Sequence, residues 1–225
     1  MKRSVSTLLA LLALAVAPAG LRAQTAPSAA EVADYRGLHA AAQRGDAAEI
    51  GRLLAGRADP NARDRHGRTP LHVAAHAGHR DAMRALVRGG GDPRALDSQR
   101  YDAITIAAVR DDLATMRVAL EIGGDPRAVT SPYLGTALIA AAHLGHAEVV
   151  KALIDAGAPL DHVNNLGWTA LIEAVILGDG GTRHIRTVAH LVRAGARRDI
   201  ADRAGVTPID HARRRAYSEI VALLE

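Results

Sequence analysis

Residues 68–97 read RTPLHVAAHAGHRDAMRALVRGGGDPRALD, and residues 135–164 read GTALIAAAHLGHAEVVKALIDAGAPLDHVN. Laid one over the other, the two stretches put their helix-forming, turn and closing residues in the same columns. In the first, the apolar run LHVAAHAG is followed by RDAMRALVRGG. Gly78 lies between the runs, and Gly89, Gly90 and Gly91 lie at the end, where helix C-termini favour left-handed backbone. Each stretch therefore predicts two short antiparallel helices. Neither helix carries enough apolar surface to be stable alone, so each pair has to stack on its neighbours.

The same spacing extends along the chain. One apolar column runs Leu38, Leu71, Ile104, Leu138, Leu171, Ile209, with successive differences of 33, 33, 34, 33 and 38. A fixed period in this range implies an array of supersecondary units rather than a globule. Thr69-Pro70-Leu71-His72, its partial copies Thr136-Ala137-Leu138, Thr169-Ala170-Leu171 and Thr207-Pro208-Ile209, the turns Gly78-His79 and Gly145-His146, and the closing segments GGDPRA (90–95), GGDPRA (123–128), AGAPLD (156–161) and AGARRD (194–199) complete the pattern.

The pattern resembles the ankyrin repeat over about residues 34–225. The resemblance implies an all-α repeat, an ankyrin-type α-solenoid of about six helix-turn-helix units with β-hairpin-like connections. The units fall near 34–64, 65–97, 98–130, 131–164, 165–202 and 203–225. Unit 3 (YDAITIAAVRDD) lacks Thr-Pro and Gly-His, and Arg57 replaces the glycine that closes other units. The period still carries unit 3, because Ile104, Ala107 and Ala108 match Leu71, Ala74 and Ala75. Unit 6 supplies a polar end face with Arg213, Arg214 and Arg215, as a terminal repeat requires.

Composition suits such an array. Hydrophobic residues make up 48% of 225, Phe is absent, and the aromatics are Tyr35, Tyr101, Tyr133, Tyr217 and Trp168. Any core is built from Ala, Leu, Ile and Val at close spacing. Residues 1–23 stand apart: Lys2 and Arg3 precede the run LLALLALAVAPA and then small residues, the pattern of a secretory signal cleaved after Ala19 or Ala23. Retention as an anchor is the alternative. Residues 24–33 read as a polar linker. Removing the leader leaves 25 basic against 24 acidic side chains, so the basic pI says little about partners. No basic stripe with stacking aromatics remains for nucleic acid. The absence of Cys excludes disulfides, thiolate metal sites and thiol catalysis.

Catalytic and metal chemistry find little support. His72, His76 and His79 share a helical spacing, but Gly78 breaks the helix between them. The resemblance gives the His72 and His79 columns structural roles, bonding backbone. His76 and its counterpart His143 lie two units apart, roughly 20 Å at about 10 Å per stacked helix, too far to share a metal. No Ser sits in a nucleophile turn. Asp111 and Asp112 fit the start of a helix, where acids complement the dipole. No catalytic residues, metal or cofactor are expected.

Two features remain. The residue before each signature Thr forms a column of Tyr35, Arg68, Tyr101, Gly135, Trp168 and Val206. If the hairpin tips stack, Tyr35, Arg68, Tyr101 and Trp168 form a row of residue types that anchor protein interfaces; the alternative is that they cover neighbouring hairpins. The second is GDGGTR (178–183), five residues beyond the period, placed between the two helices of unit 5. It reads as an enlarged loop that is a spacer, a protein-contact loop or a small-anion site. For the last, Gly180 and Gly181 supply free amides, Thr182 caps the next helix, and Arg183 and His184 supply charge. The expected function is a non-enzymatic, monomeric protein-interaction module in the periplasm or outside the cell. It would bind another protein along a concave helix and hairpin face, with no nucleic acid and no membrane after leader removal. A small-anion or ligand-binding protein using GDGGTRH is the alternative.

Overall fold

The first helices of units 2 to 6 start where a short polar side chain in extended backbone turns the chain, while unit 1 starts after Arg36 without a side-chain cap. Thr136, Thr169 and Thr207 accept the backbone amide three residues on, and each such cap is worth about 1 kcal/mol. Unit 3, which lacks Thr-Pro, uses Asp102 in the same place, accepting from the Thr105 amide and hydroxyl at 2.7 Å each. Unit 2 combines Thr69 with Pro70 at the first helical position, where a missing N–H costs nothing.

The computed structural model describes residues 25–225. The expected leader, both cleavage positions and the anchor alternative lie outside the described residues. First helices are α2 (Gly37–Arg44), α4 (Pro70–Ala77), α6 (Ala103–Val109), α8 (Ala137–His143), α10 (Ala170–Ile176) and α12 (Pro208–Arg214). Second helices are α3 (Ala47–Ala55), α5 (Arg80–Arg88), α7 (Leu113–Glu121), α9 (Ala147–Asp155), α11 (Thr182–Arg193) and α13 (Ser218–Leu224). Each first helix packs on the next first helix and each second helix on the next second helix, giving two parallel layers. The Ala pairs 41–42, 74–75, 107–108 and 141–142 are fully buried between layers. Their lack of bulk lets short helices approach closely, while Leu71, Ile104, Leu138 and Leu171 fill the column beside them.

The connections are turns, except that β1 (Val129–Thr130) pairs antiparallel with β2 (Gly135–Thr136), register Val129 to Thr136. Successive tips are linked by backbone bonds: Ser98 N–H to His66 O (2.9 Å), Ser131 N–H to Arg100 O (3.0 Å) and Asn165 N–H to Tyr133 O (2.9 Å). Histidines tie the layers together. Thr69 N–H donates to Nδ1 of His72 at 3.0 Å, so Nε2 carries the proton and donates to Tyr101 O of the next unit at 3.0 Å. His39 makes the same reach to Arg68 O at 2.9 Å.

Two expectations need correction. The segment taken as a linker contains α1 (Ala29–Asp34), a helix with a reciprocal capping box between Ser28 and Glu31. The Ser-x-x-Glu spacing carried that signal. The unit 5 insertion does not merely enlarge a loop. α11 has 12 residues where α5, α7 and α9 have nine. The surplus is shared between a turn at Gly178–Gly181 and an added first turn of helix. Gly181 is the N-cap, so Thr182 lies inside the helix and does not cap it. Gly180, at φ +71°, supplies the left-handed step that makes this possible. Among the described residues no helix is long and apolar enough to cross a membrane.

Candidate functional site

The column before each N-cap does not form an exposed row. Tyr35 (9% exposed), Arg68 (2%) and Tyr101 (7%) are buried, and only Trp168 is half-exposed. Side chains just ahead of an N-cap fold over the first helical turn, which draws them inward. Arg68 is the centre of a buried ion cluster: it donates to Asp64 Oδ2 at 2.7 Å and to Glu31 Oε1 at 2.6 Å. Tyr35 OH donates to Asp64 Oδ2 at 2.8 Å. Although burial alone raises the Glu31 pKa, hydrogen bonds from Ser28 and the Arg68 guanidinium outweigh it and hold the carboxyl at about 2. Burial also raises the Tyr101 hydroxyl. The cluster locks α1 onto the unit 2 turn, and its side chains are packed into the array rather than offered to a partner.

Apolar exposure falls instead on the end of unit 3 and on unit 4. Leu134 (46%) and Val163 (45%) stand out at neighbouring tips, with Val129 exposed on β1. His162 Nε2 donates to Leu134 O at 2.7 Å, which holds the two tips together. Beneath them lies a group that the sequence reading missed. Glu173 is buried on α10, accepting from Asn164 Nδ2 at 2.7 Å and lying 3.3 Å from His143 Nδ1. Its signal was a lone acid in a column that holds Val73 and Ile106 in other units.

The GDGGTR loop is closed by its own chain. Asp179 Oδ1 accepts from Gly181 N–H at 2.9 Å and faces His184 Nδ1 at 2.9 Å. His184 Nε2 reaches His143 O at 3.1 Å. This matches His79 on Gln43 O and His146 on Ala108 O, so the turn histidine survives the insertion three residues into its helix. Arg183 Nη2 donates to Asp111 Oδ2 at 2.8 Å and Nε to Gly145 O at 3.3 Å, spanning units 3 to 5. Tyr217 OH donates to Gly178 O at 2.9 Å and its ring covers Gly180. Gly180, Gly181, Arg183 and His184 are thus brought together, while Thr182 is exposed on the added turn.

His76 is the anomaly of the first-helix layer. Its residue is 7% exposed, and among the described residues neither ring nitrogen has a hydrogen-bond partner. Burial lowers its pKa to about 3, helped by His72, Arg110 and Arg68. Among the described residues no three His, Cys, Asp or Glu side chains converge as metal ligands.

The family profile described as ankyrin repeats (three copies) matches residues 38–130 and, overlapping them, 104–197. The chain belongs to the ankyrin repeat family. A solved ankyrin repeat domain from Acinetobacter baumannii is 43% identical, aligned over 83% of this chain and 95% of its own, with a TM-score of 0.78. A second solved ankyrin repeat protein is 30% identical over 84% and 98%, with a TM-score of 0.77. No curated protein matches at a significant level. Ankyrin repeats generally mediate protein–protein interaction, and the family is a non-enzymatic scaffold. The ankyrin array explains why so many polar groups here face one another: each unit supplies the acceptors that the next unit's histidines and arginines need.

Proposed function

We propose that the chain is a non-enzymatic, monomeric module, exported to the periplasm or beyond, that binds another protein along the face made by first-helix ends and hairpin tips. The observation that carries this reading is the exposure of Leu134 and the half-exposure of Trp168 on successive tips that backbone bonds already fix to their neighbours. An apolar group held rigid and wet is the kind of surface a partner covers, and little ordering is needed on binding. Export rests on the leader segment alone. The small-anion alternative loses ground because Arg183, His184 and the Gly181 amide already hold carboxylates of the same chain.

The test is affinity capture from a periplasmic extract, using wild type and the pair Leu134→Asp and Trp168→Ala as baits. A stoichiometric protein held by wild type and lost by both variants at unchanged melting temperature is the expected result. Capture unchanged in both variants would remove the tips from the binding face. A melting temperature that phosphate raises only when Arg183 is present would restore the anion reading. N-terminal sequencing of the exported chain is expected to begin at Gly20 or Gln24.

A further inference from the structure

The C-terminal ends of the first helices form a rim whose chemistry changes from cationic to aliphatic after unit 3 and returns to cationic only in the terminal unit 6. At equal register in successive packed helices, it reads Arg44, Ala77, Arg110, Leu144, Leu177 and Arg215, the last lying against the Tyr217 ring. Arg44 and Arg110 are exposed, and neither has an ion pair or side-chain hydrogen bond among the described residues. The acids in the same turns are all engaged. Asp46 accepts the Glu49 amide at 2.9 Å, and Asp112 accepts the Thr115 amide and hydroxyl at 2.9 and 2.7 Å. Asp111 is held by Arg183.

Near-neutral net charge therefore conceals an asymmetry. Carboxylates in these turns are spent on helix caps, which need them at first turns, while the arginines beside them project into solvent. Farther along, Leu144 is 37% exposed and Leu177 half-buried, at positions where the N-terminal units carry charge or Ala.

Resting on the protein-binding reading above, we propose that this rim receives an extended protein segment, acidic over units 1 to 3 and apolar over units 4 and 5. From Arg44 to Leu177 is four helix steps, about 40 Å at about 10 Å each. An extended chain covers that in about 12 residues. Carboxylates facing Arg44 and Arg110 then lie about six residues apart, and apolar side chains facing Leu144 and Leu177 follow at intervals of about three. A nucleic acid fits less well, because the rim has no aromatic for a base to stack on and its second half is aliphatic.

The test is selection of phage-displayed random peptides of about 16 residues on the purified chain, long enough for that register. Enriched peptides should carry Asp or Glu in one half and Leu, Ile or an aromatic in the other. A synthesised winner should lose about tenfold or more in affinity on Arg110→Glu, and separately on Leu144→Asp, with both variants melting like wild type. Binding should weaken as salt rises from about 0.05 to about 0.5 M, since the pairs are exposed. Enriched peptides with no acidic half, or a winner indifferent to both substitutions, overturn the proposal. A winner lost on Leu134→Asp but not on Arg110→Glu also overturns it, while leaving the protein-binding reading in place. Failure to enrich any peptide, with single-stranded DNA bound by wild type and released by Arg110→Glu, replaces the partner class by nucleic acid.

Discussion

Replacing His76 by Leu should stabilise the protein, and by an amount that grows as pH falls. Two effects add. At pH 7 the neutral ring keeps two buried nitrogens without partners, and an unsatisfied buried polar group costs about 1–3 kcal/mol. Leu has similar bulk and no such atoms, so a gain of about 1 kcal/mol is expected after some repacking loss. The second effect is proton linkage. His76 takes its proton at pH 6.5 in the unfolded chain but only near pH 3 in the array, because burial and the charges of His72, Arg110 and Arg68 oppose it. Between those values the unfolded state binds more protons, so stability falls as pH falls through this window. Each unit is worth about 1.36 kcal/mol. At pH 4.5, two units below 6.5, the wild type has lost about 2.7 kcal/mol that His76→Leu retains. Comparing the two chains by urea denaturation at pH 7 and pH 4.5 cancels the carboxylates they share. The advantage of His76→Leu should widen by about 2.7 kcal/mol at the lower pH. An advantage equal at both pH values would show that the ring finds water or a partner on protonation, and the argument from burial would be wrong.

Arg57 occupies left-handed backbone at φ +63°, where the units with a closing glycine have Gly90, Gly123, Gly157 and Gly195. Arg57→Gly should therefore raise stability by about 1 kcal/mol in thermal or urea denaturation. Glu31→Gln removes a carboxylate from Arg68, whose side chain is 2% exposed. Breaking such a buried pair costs about 3 kcal/mol, partly offset here because Asp64 remains. Hydrogen exchange should show the loss first in α1 and unit 1. The wild-type contribution of Glu31 persists above the ordinary carboxylate range and disappears as pH falls toward about 2. Gly180→Ala puts a Cβ 2.5 Å from the Tyr217 ring at φ +71°. It should cost about 1–3 kcal/mol and loosen unit 6 from unit 5, measured by tryptic cleavage at Arg213 to Arg215.

The fold was legible because packing repeats. Leu71, Ala74 and Ala75 recur as Ile104, Ala107 and Ala108 even where Thr-Pro and Gly-His are missing, since the buried columns tolerate only small or aliphatic side chains. Capping tolerates more, and Asp102 replaces Thr without changing the helix start. Where the reading went astray, it misjudged which way a side chain faces. Tyr35, Arg68 and Tyr101 looked like an interface by residue type, yet ahead of their N-caps all three turn inward, and only Trp168 stays half-exposed. The small-anion alternative for the loop rested on amides and cations that are local in sequence. Asp111, which neutralises Arg183, lies 72 residues away, and no local pattern reports it.

The distinction explains where information about the partner has to reside. Columns that face inward are constrained by every neighbouring unit, so they repeat and reveal the family. The rim column is less constrained by its neighbours, so Arg44, Ala77, Arg110, Leu144, Leu177 and Arg215 need not resemble one another, and the period is silent about them. Their divergence within a strict repeat is itself informative. An array that needed only solubility at this rim would be served by any charged residue of either sign in each unit. Here the charged positions are arginine and the rest are aliphatic, with Asp46 and Asp112 withdrawn into caps and Asp111 held by Arg183. A change from cationic to aliphatic between Arg110 and Leu144, with Arg215 closing the edge in unit 6, sets the chemistry and the register of the segment proposed to lie against it.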